Sequence, residues 1–316
     1  MKTELVYLGI DVSKKALHLA TPDKFVREFA NTAQGIEDLI LRIQKFEPTL
    51  VVMEASGGYE RIVCDRLQDA GISVCVSQPS CVRHFAKSIK VLAKTDKVDA
   101  RVIARFAAAT KPAETPRTSE ITRKFRAFHD RRQQLVEDRV RETNRLEMCT
   151  DPEVVDQIKH NIELIQQREK EIGQAIEELR QADSELKRKS EVLMQQKGVG
   201  TQTASTLLAH LPELGSLDRQ QVAALAGMAP HANESGSWKG RRRIYGGRAQ
   251  VRKAMYMAAR SACRWCPVIS EFYNRLREKG KPFKVAIIAC ARKMLVRLNT
   301  MLKNHTNETN IEPKTT

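Results

Sequence analysis

Apolar runs near the start of the chain, separated by short polar turns, predict three strands. They cover residues 5–10, 16–20 and 25–30, and the turns cover residues 11–15 and 21–24. A meander of this kind indicates neighbouring antiparallel strands with short connections.

Helical and strand patterns then alternate along the chain. A helix is predicted from Gln34 to Phe46 because Ile36, Leu39, Ile40 and Ile43 share one face. The later elements are a strand over 49–53, a helix near 59–70, a strand over 72–76 and a helix from about Asp96 to Ala109. This β-β-β-α-β-α-β-α order predicts an α/β domain with a mixed sheet of the RNase H type.

The pattern becomes helical and highly charged from Ser119 to Gln196, where Asp151-Pro152 divides it into two helices. Apolar residues in the second helix recur in steps of four and three, which is typical of a coiled coil. An antiparallel hairpin, a dimer or both would satisfy this pattern, and a solvated arm is compatible with each. The seam consists of Ile158, Ile162, Ile165, Ile172, Ile176, Leu179 and Leu186.

A mostly helical third region opens with the turn Lys197-Gly198-Val199-Gly200. The turn resembles a helix-hairpin-helix, whose amides contact a backbone phosphate, but a tight turn between core helices is equally compatible. We therefore predict four segments, with a disordered polar tail last. They are a catalytic domain over 1–112, a coiled-coil arm over 113–190, a helical domain over 191–303 and the tail over 304–316.

Charge indicates a polyanionic partner. The 54 Lys and Arg residues exceed the 38 Asp and Glu residues, giving a net charge of +16. Residues 191–316 hold 21 basic and 8 acidic residues, whereas residues 1–190 hold 33 and 30. No apolar run reaches 18 residues, so no membrane span is expected. The absence of a signal peptide and seven scattered cysteines favour a protein of the reducing cytoplasm.

Four acidic residues are the main candidates for catalysis. Asp11 and Glu54 each end an apolar strand, and adjacent strand ends would bring them together. Asp96 and Asp99 lie three residues apart, on one face of the predicted helix. Carboxylates in this arrangement suit Mg²⁺ or Mn²⁺, and paired metals suit phosphodiester chemistry.

A serine stands among basic residues in a later polar, glycine-rich segment, which predicts a loop. Ser235 is a poor nucleophile alone, but nearby cations could stabilise charge on a phosphate. By local chemistry a Ser-Gly pair in a loop is usually only a turn. The candidate nucleic-acid-binding residues here are Lys239, Arg241, Arg242, Arg243, Arg248, Arg252 and Lys253.

Short motifs spread over nearly the whole chain carry a resemblance to a known family. They are Gly9-Ile10-Asp11-Val12-Ser13-Lys14, Glu54-Ala55-Ser56-Gly57, Lys94-Thr95-Asp96-Lys97-Val98-Asp99-Ala100, Gly198-Val199-Gly200, Ala226-Gly227-Met228-Ala229-Pro230, Glu234-Ser235-Gly236 and Gly246-Gly247-Arg248 with Val251-Arg252-Lys253-Ala254-Met255-Tyr256-Met257. In this order they resemble the transposases of the insertion-sequence family numbered one hundred and ten, which are bridge-RNA-guided recombinases.

The resemblance implies a RuvC-like domain whose metal ligands are Asp11, Glu54, Asp96 and Asp99. It also implies that Ser235 is a nucleophile that forms a phosphoserine link to DNA. In that family the acidic site of one subunit faces the serine of another, within a dimer or tetramer. The implied partners are target DNA, donor DNA and a structured noncoding guide RNA.

We therefore expect a Mg²⁺-dependent, RNA-guided DNA recombinase of an insertion sequence. One alternative is a structure-selective nuclease, such as a junction resolvase, that uses water as its nucleophile. A noncatalytic DNA- or RNA-binding scaffold is a third possibility, which the four intact acids disfavour.

Overall fold

The computed structural model of the protein describes residues 5–91, 95–231, 234–235, 238–240 and 242–311. The side chains of residues 234–235, 238–239 and 306–311 lie outside this description. The chain forms two compact units, Met1–Arg117 and Thr118–Thr316. The four-segment division expected from the sequence stays a prediction.

The first unit is an α/β unit, and its element order confirms the predicted order of strands and helices. Its strands are β1 (Tyr7–Val12), β2 (Ala16–Ala20), β3 (Phe25–Ala30), β4 (Leu50–Glu54) and β5 (Val74–Ser77). Its helices are α1 (Ala33–Gln44), α2 (Tyr59–Asp69), α3 (Pro79–Ser88) and α4 (Asp96–Thr110). Helix α3 is an addition that the sequence analysis did not predict.

The strands form one mixed sheet in the order β3-β2-β1-β4-β5 within the described part of the unit. The first three strands pair antiparallel, whereas β4 is parallel to both β1 and β5. The predicted neighbourhood of β1 and β4 is therefore confirmed. The unit extends past residue 112 because Thr115 donates its amide hydrogen to the carbonyl of Val74, at 2.8 Å.

The two faces of the sheet are covered by different helices. Leu8 and Ile10 pack with residues of α1 and α2, such as Leu39. Tyr7 packs on the opposite side with Phe106 of α4. Since side chains alternate along a strand, odd-numbered residues of β1 face α4.

The second unit is mostly helical. Its helices are α5 (Glu120–Met148), α6 (Pro152–Ala182), α7 (Ser184–Met194), α8 (Thr201–His210), α9 (Arg219–Leu225), α10 (Ala249–Trp265), α11 (Pro267–Glu278) and α12 (Phe283–Ile311). A two-stranded sheet of β6 (Glu234–Ser235) and β7 (Trp238–Lys239) lies between α9 and α10. Helices α7 to α12, together with Phe125 of α5 and Ile176 of α6, enclose the apolar core.

Helices α5 and α6 pack against each other as a hairpin within one chain. Arg139 of α5 donates to Glu169 of α6 at 2.7 Å, so Glu169, which lies in the sequence between the seam residues Ile165 and Ile172, is paired across the hairpin. The prediction of one helix up to Gln196 is wrong. Asp183 ends α6 and caps α7, because its carboxylate accepts from the amide of Leu186 at 2.7 Å.

The turn at Gly198 joins α7 to α8, in agreement with the predicted order of helix, glycine turn and helix. A Cβ atom on Gly198 would lie 2.8 Å from the carbonyl oxygen of Ala258 and 2.8 Å from Cβ of Ala262. Gly198 also has a φ of +96°. The turn is thus packed tightly on α10, which favours the core-turn interpretation over phosphate binding at this residue.

Two further expectations concern the end of the chain and the membrane. Helix α12 continues to Ile311, whereas the sequence predicts disorder from residue 304. Extending an existing helix costs less free energy than starting one, which allows polar residues to continue it. Within the described ranges, no helix is both long and apolar enough to cross a membrane.

Candidate metal centre and nucleic-acid interface

Asp11 and Glu54 lie on the same face of the sheet. In the parallel pair of β1 and β4, Ile10 is the partner of Met53, so Asp11 and Glu54 follow at equivalent positions. Both side chains point toward α4 by the alternation of the strands. This arrangement confirms the expectation that the two strand ends bring these acids together.

A close backbone contact holds α4 against β1. A Cβ atom on Gly9 would lie 2.3 Å from the nitrogen of Ala104 and 2.4 Å from the oxygen of Ala100. Only glycine therefore fits at this position of β1. Because α4 begins at Asp96, this contact brings the first turn of the helix, with Asp96 and Asp99, to the end of β1.

The tightest cluster of ligand atoms in the described residues consists of Asp11, His18 and Asp96. One carboxylate oxygen or ring nitrogen from each residue lies within 4.8 Å of the other two. Glu54 and Asp99 are not members of this close group. Their charges nevertheless act on Asp11, so all four predicted acids belong to one electrostatic site.

The charge of Asp11 is opposed by its surroundings. Burial, followed by the negative charges of Asp96 and Asp99, raises the pKa of Asp11 to about 6. Glu54 raises this pKa further, and His18 lowers it. Like charges held this close disfavour one another in the absence of a cation.

This donor set fits a divalent cation. Carboxylate oxygens that converge on one partly buried point are hard ligands, and a cation would relieve the repulsion that raises the pKa of Asp11. Among the four acids, Asp11 and Asp96 would hold the ion most closely, with Glu54 and Asp99 beside them.

A buried carboxylate, Glu60, fixes the loop that follows Glu54. It accepts hydrogen bonds from the amides of Ser56 and Gly58, at 2.9 and 2.8 Å, and from the Ser56 hydroxyl at 3.1 Å. Burial alone would raise the pKa of Glu60, but the hydrogen bonds outweigh it and lower this pKa. The sequence analysis missed Glu60, although an acid two residues after a Gly-Gly pair at a helix start was a visible signal.

Ser235 is the last residue of strand β6 and pairs with Trp238 of β7. An isolated bridge also pairs His231 with Arg243, so the described residues of this segment are paired as antiparallel strands where the sequence predicts a loop. Backbone pairing at Glu234 and Ser235 accounts for this difference. The side chains of Ser235 and Lys239, and the whole of Arg241, lie outside the described residues.

Arg248 and Arg252, predicted to bind nucleic acid, make internal contacts. Arg248 donates to both carboxylate oxygens of Glu213, each at 2.6 Å, and to the carbonyl of His210 at 3.0 Å. Burial would raise the pKa of Glu213, but the hydrogen bond and charge of Arg248 lower it. Arg252 donates to the carbonyl of Gly246 at 2.6 Å. No sequence pattern indicates the ion pair between Arg248 and Glu213, since 35 positions separate the two residues.

The exposed side chains of Arg242, Arg243 and Lys253 are accessible to a partner. The two arginines line a cavity of about 1060 Å³ with apolar walls that include Ile288 and Val296. Three more cations line it, and the described lining contains no acid. These cations are Lys284, Arg292 and Lys293.

His231 and Tyr245 follow the lining residues Pro230 and Ile244 in the sequence, and their rings contact each other at a centroid distance of 4.2 Å with a tilt of 35°. Tyr245 is 66% exposed. An exposed aromatic pair beside a basic, apolar cavity can stack a base while the cations contact the backbone phosphates.

Known families match both units of the chain. Residues 8–151 match the transposase family designated DEDD_Tnp_IS110, and residues 190–274 match the "Transposase IS116/IS110/IS902 family". The chain belongs to the IS110 family of transposases. This membership confirms the family that the sequence motifs resemble.

Relatives of similar length support the same conclusion. The pilin gene-inverting proteins of Moraxella bovis and Moraxella lacunata are each 28% identical over 305 residues, covering 92% of this chain and 93% of the relative. The transposase for insertion sequence element IS1328 of Yersinia enterocolitica is 24% identical over 258 residues, covering 72% and 75%. The IS110 chain is thus a DNA-recombining enzyme whose substrate is DNA, and its family and acidic cluster indicate a divalent metal.

Proposed function

We propose that this IS110 transposase is an RNA-guided recombinase of an insertion sequence that requires Mg²⁺ or Mn²⁺. Its first unit would be a RuvC-like domain, and Ser235 would be its nucleophile. The observation that carries the proposal is the convergence of Asp96, Asp99 and Glu54 on Asp11, which raises the pKa of Asp11 to about 6.

The acids have distinct duties in this proposal. All four acids would serve as ligands of the cation, with Asp11 and Asp96 closest to it and Glu54 and Asp99 beside them. The cation, when bound, stabilises charge on the attacking and leaving oxygens. Glu60 keeps the loop after Glu54 in place, and Gly9 keeps α4 in place.

The covalent step transfers a DNA strand to the serine. The Ser235 hydroxyl oxygen forms a bond to the scissile phosphorus and loses its proton, while the bond to the leaving sugar oxygen breaks and that oxygen gains a proton. Reversal of this step with a different sugar oxygen joins a new strand. The number of phosphodiester bonds is conserved, so no nucleotide cofactor is required.

The basic second unit would bind the DNA and the guide RNA. Arg242 and Arg243, with the other cations of the 1060 Å³ cavity, are placed to contact backbone phosphates. Base pairing with the guide would select the sequence, as in other RNA-guided systems. Assembly as a dimer or tetramer, with the α5–α6 hairpin as a coiled-coil arm, would bring one subunit's acids to another's serine. We place the enzyme at the bacterial nucleoid, in the cytoplasm.

The test is capture of the covalent intermediate. Wild-type protein, end-labelled element DNA, the noncoding RNA encoded beside the gene and Mg²⁺ should give a protein–DNA adduct that survives denaturing electrophoresis. Ser235→Ala should abolish the adduct, whereas Ser237→Ala, a matched change two residues away, should retain it. An adduct that persists in Ser235→Ala would overturn the assignment of the nucleophile.

A structure-selective nuclease is the second candidate. It is favoured by one observation: the acidic cluster lies within the first unit alone and could act on water. In that case Ser235→Ala would still cut DNA, no adduct would form with wild type, and Asp11→Asn would remove cleavage.

A further inference from the structure

We propose that His18 is a nitrogen ligand of the metal centre, so that the site prefers transition metals such as Mn²⁺, Co²⁺ and Zn²⁺ over Mg²⁺ more strongly than four carboxylates would. The inference rests on the proposed metal site, to which it adds a ligand from outside the four acids.

His18 lies in a row of polar side chains that crosses the sheet. It is the cross-strand partner of Asp11 on β1 and of Glu28 on β3. Its neighbours in the sequence, Leu17 and Leu19, point to the opposite face, into the core beneath α1 and α2. Register therefore fixes the imidazole beside Asp11, and a ring nitrogen lies within 4.8 Å of oxygens of Asp11 and Asp96.

The two ring nitrogens of His18 have different surroundings. Nε2 lies 3.5 Å from an oxygen of Glu28, whereas Nδ1 is buried and has no hydrogen-bond partner among the described residues. The residue is only 5% exposed, so water does not compensate readily. A buried nitrogen that has no protein partner costs free energy of folding unless another group, such as a bound cation, contacts it.

A metal bound at Nδ1 would complete a row of carboxylate, histidine and metal. Glu28 lies 3.5 Å from Nε2 and Nδ1 has no protein partner, so a neutral ring with its proton on Nε2 would offer the lone pair of Nδ1 as a ligand. Imidazole nitrogen favours the later transition metals, while Mg²⁺ favours oxygen. Replacement of the imidazole should thus change the choice of metal more than the ability to bind one.

The experiment is a metal titration of the full chain without DNA. Co²⁺ binding is followed by its visible absorption, and Mg²⁺ binding by calorimetry. His18→Ala should weaken Co²⁺ binding by about 10- to 100-fold and change Mg²⁺ binding much less. Glu28→Gln should weaken Co²⁺ binding in the same direction, because it frees the ring to reorient.

The matched control is His84→Ala, which removes an exposed histidine of α3 from the same unit. It should leave both affinities unchanged. If folded His18→Ala binds Co²⁺ with wild-type affinity and an unchanged spectrum, the inference is wrong.

Since His18 is buried, His18→Ala could fail to fold, and a second measurement uses the unaltered chain. In protein with ¹⁵N-labelled histidine, addition of Zn²⁺ should move the ring signals of His18 and leave those of His84 in place. Unmoved His18 signals would also overturn the inference. A shifted His18 signal in a protein that forms no phosphoserine adduct would instead leave the inference intact and contradict the proposed recombinase.

Discussion

Asp11 is a residue whose ionisation opposes folding until a cation is present. Its pKa is about 6 in the folded protein, against 3.8 for a free side chain. The folded state thus binds an extra proton between these values, and stability falls as pH rises from about 4 through 6. Above pH 6 Asp11 is ionised in the folded protein, and the full free-energy cost of this buried charge lowers the stability.

We predict that Asp11→Asn stabilises the metal-free protein at pH 7.5, by on the order of 2 kcal/mol. At pH 4 the difference from wild type should shrink, because Asp11 is then protonated in the folded protein. Mg²⁺ or Mn²⁺ should raise the melting temperature of wild type but not that of Asp11→Asn. Thermal unfolding at both pH values measures this. Exposed Asp23→Asn is the control, and equal stability of Asp11→Asn and wild type at both pH values would contradict the prediction.

Substitutions of Arg248 and Arg243 should have opposite effects, because Arg248 stabilises the fold whereas Arg243 is exposed for DNA binding. Arg248→Ala leaves the half-buried Glu213 without its partner and should lower the free energy of unfolding by about 3 kcal/mol. It should leave the salt dependence of DNA binding unchanged. Arg243→Ala should do the reverse, lowering the slope of log affinity against log salt by about 1. Urea unfolding and DNA titrations at several salt concentrations test both variants. A lower slope of log affinity against log salt in Arg248→Ala would support the sequence prediction that Arg248 contacts DNA.

The residues that the sequence revealed are those that end obvious elements. Asp11 and Glu54 close apolar strands, and Asp96 opens a helix, so their positions could be inferred from patterns. His18 could not, because a single histidine among leucines gives no sign of its partners until the β1–β2 register places it opposite Asp11. Arg248 was assigned by its charge alone, which cannot reveal a distant acid.

At the scale of elements, the contact between α4 and β1 decides whether the acids meet. Gly9→Ala should force the two backbones apart, since its Cβ would lie 2.3 Å from the nitrogen of Ala104. We expect a loss of at least about 1–3 kcal/mol in the free energy of unfolding, with weaker binding of divalent metal. Chemical denaturation and Mn²⁺ titration measure these effects.

Gly173→Ala is the matched control, because nothing lies within 4 Å of the added methyl group. Position 173 is within helix α6, where alanine is favoured over glycine, so stability should be unchanged or slightly higher. Wild-type stability and metal affinity in Gly9→Ala would show that α4 can shift without moving the acids.

Sequence patterns predicted most elements of the first unit but not every boundary. Helix α3 was missed because it is short and begins at Pro79, where proline can stand at the first turn but also suggests a break. The end of α6 was missed because Asp183 lies within the highly charged helical pattern of residues 119–196, where one more acid gives no sign of a helix boundary; its carboxylate caps α7 in the structure. In both cases a local sequence signal, Pro79 or Asp183, is compatible with two structures, and tertiary packing decides between them.

At the scale of the whole molecule, the uneven charge along the sequence carried the most information about partners. A surplus of basic residues after residue 190 indicated nucleic acid, and the family match agrees with DNA as substrate. Assembly is a different matter. A heptad seam specifies that a helix needs an apolar partner, but not whether that partner belongs to the same chain.

Helix α5 packs against α6 within the chain and buries part of its apolar face, yet several apolar side chains of the hairpin are exposed. Met148 is 86% exposed, and Val140, Val154 and Leu164 are each more than 40% exposed. These residues lie toward the connected end of the two helices. A second copy could bury these side chains against its own hairpin.

We predict that removal of this end reduces self-association. Arg139 and Glu169 contact each other across the hairpin, so a short Gly-Ser linker can replace residues 140–168 without separating the remaining helices. The core of the second unit, which includes Phe125 and Ile176, lies outside the deletion. Light scattering after size-exclusion chromatography should show fewer protomers per particle than in wild type. The double variant Met148→Lys and Leu164→Lys tests the same residues without shortening the hairpin. If both variants kept the wild-type number of protomers per particle, the hairpin would be a spacer and its exposed apolar residues would play no part in assembly.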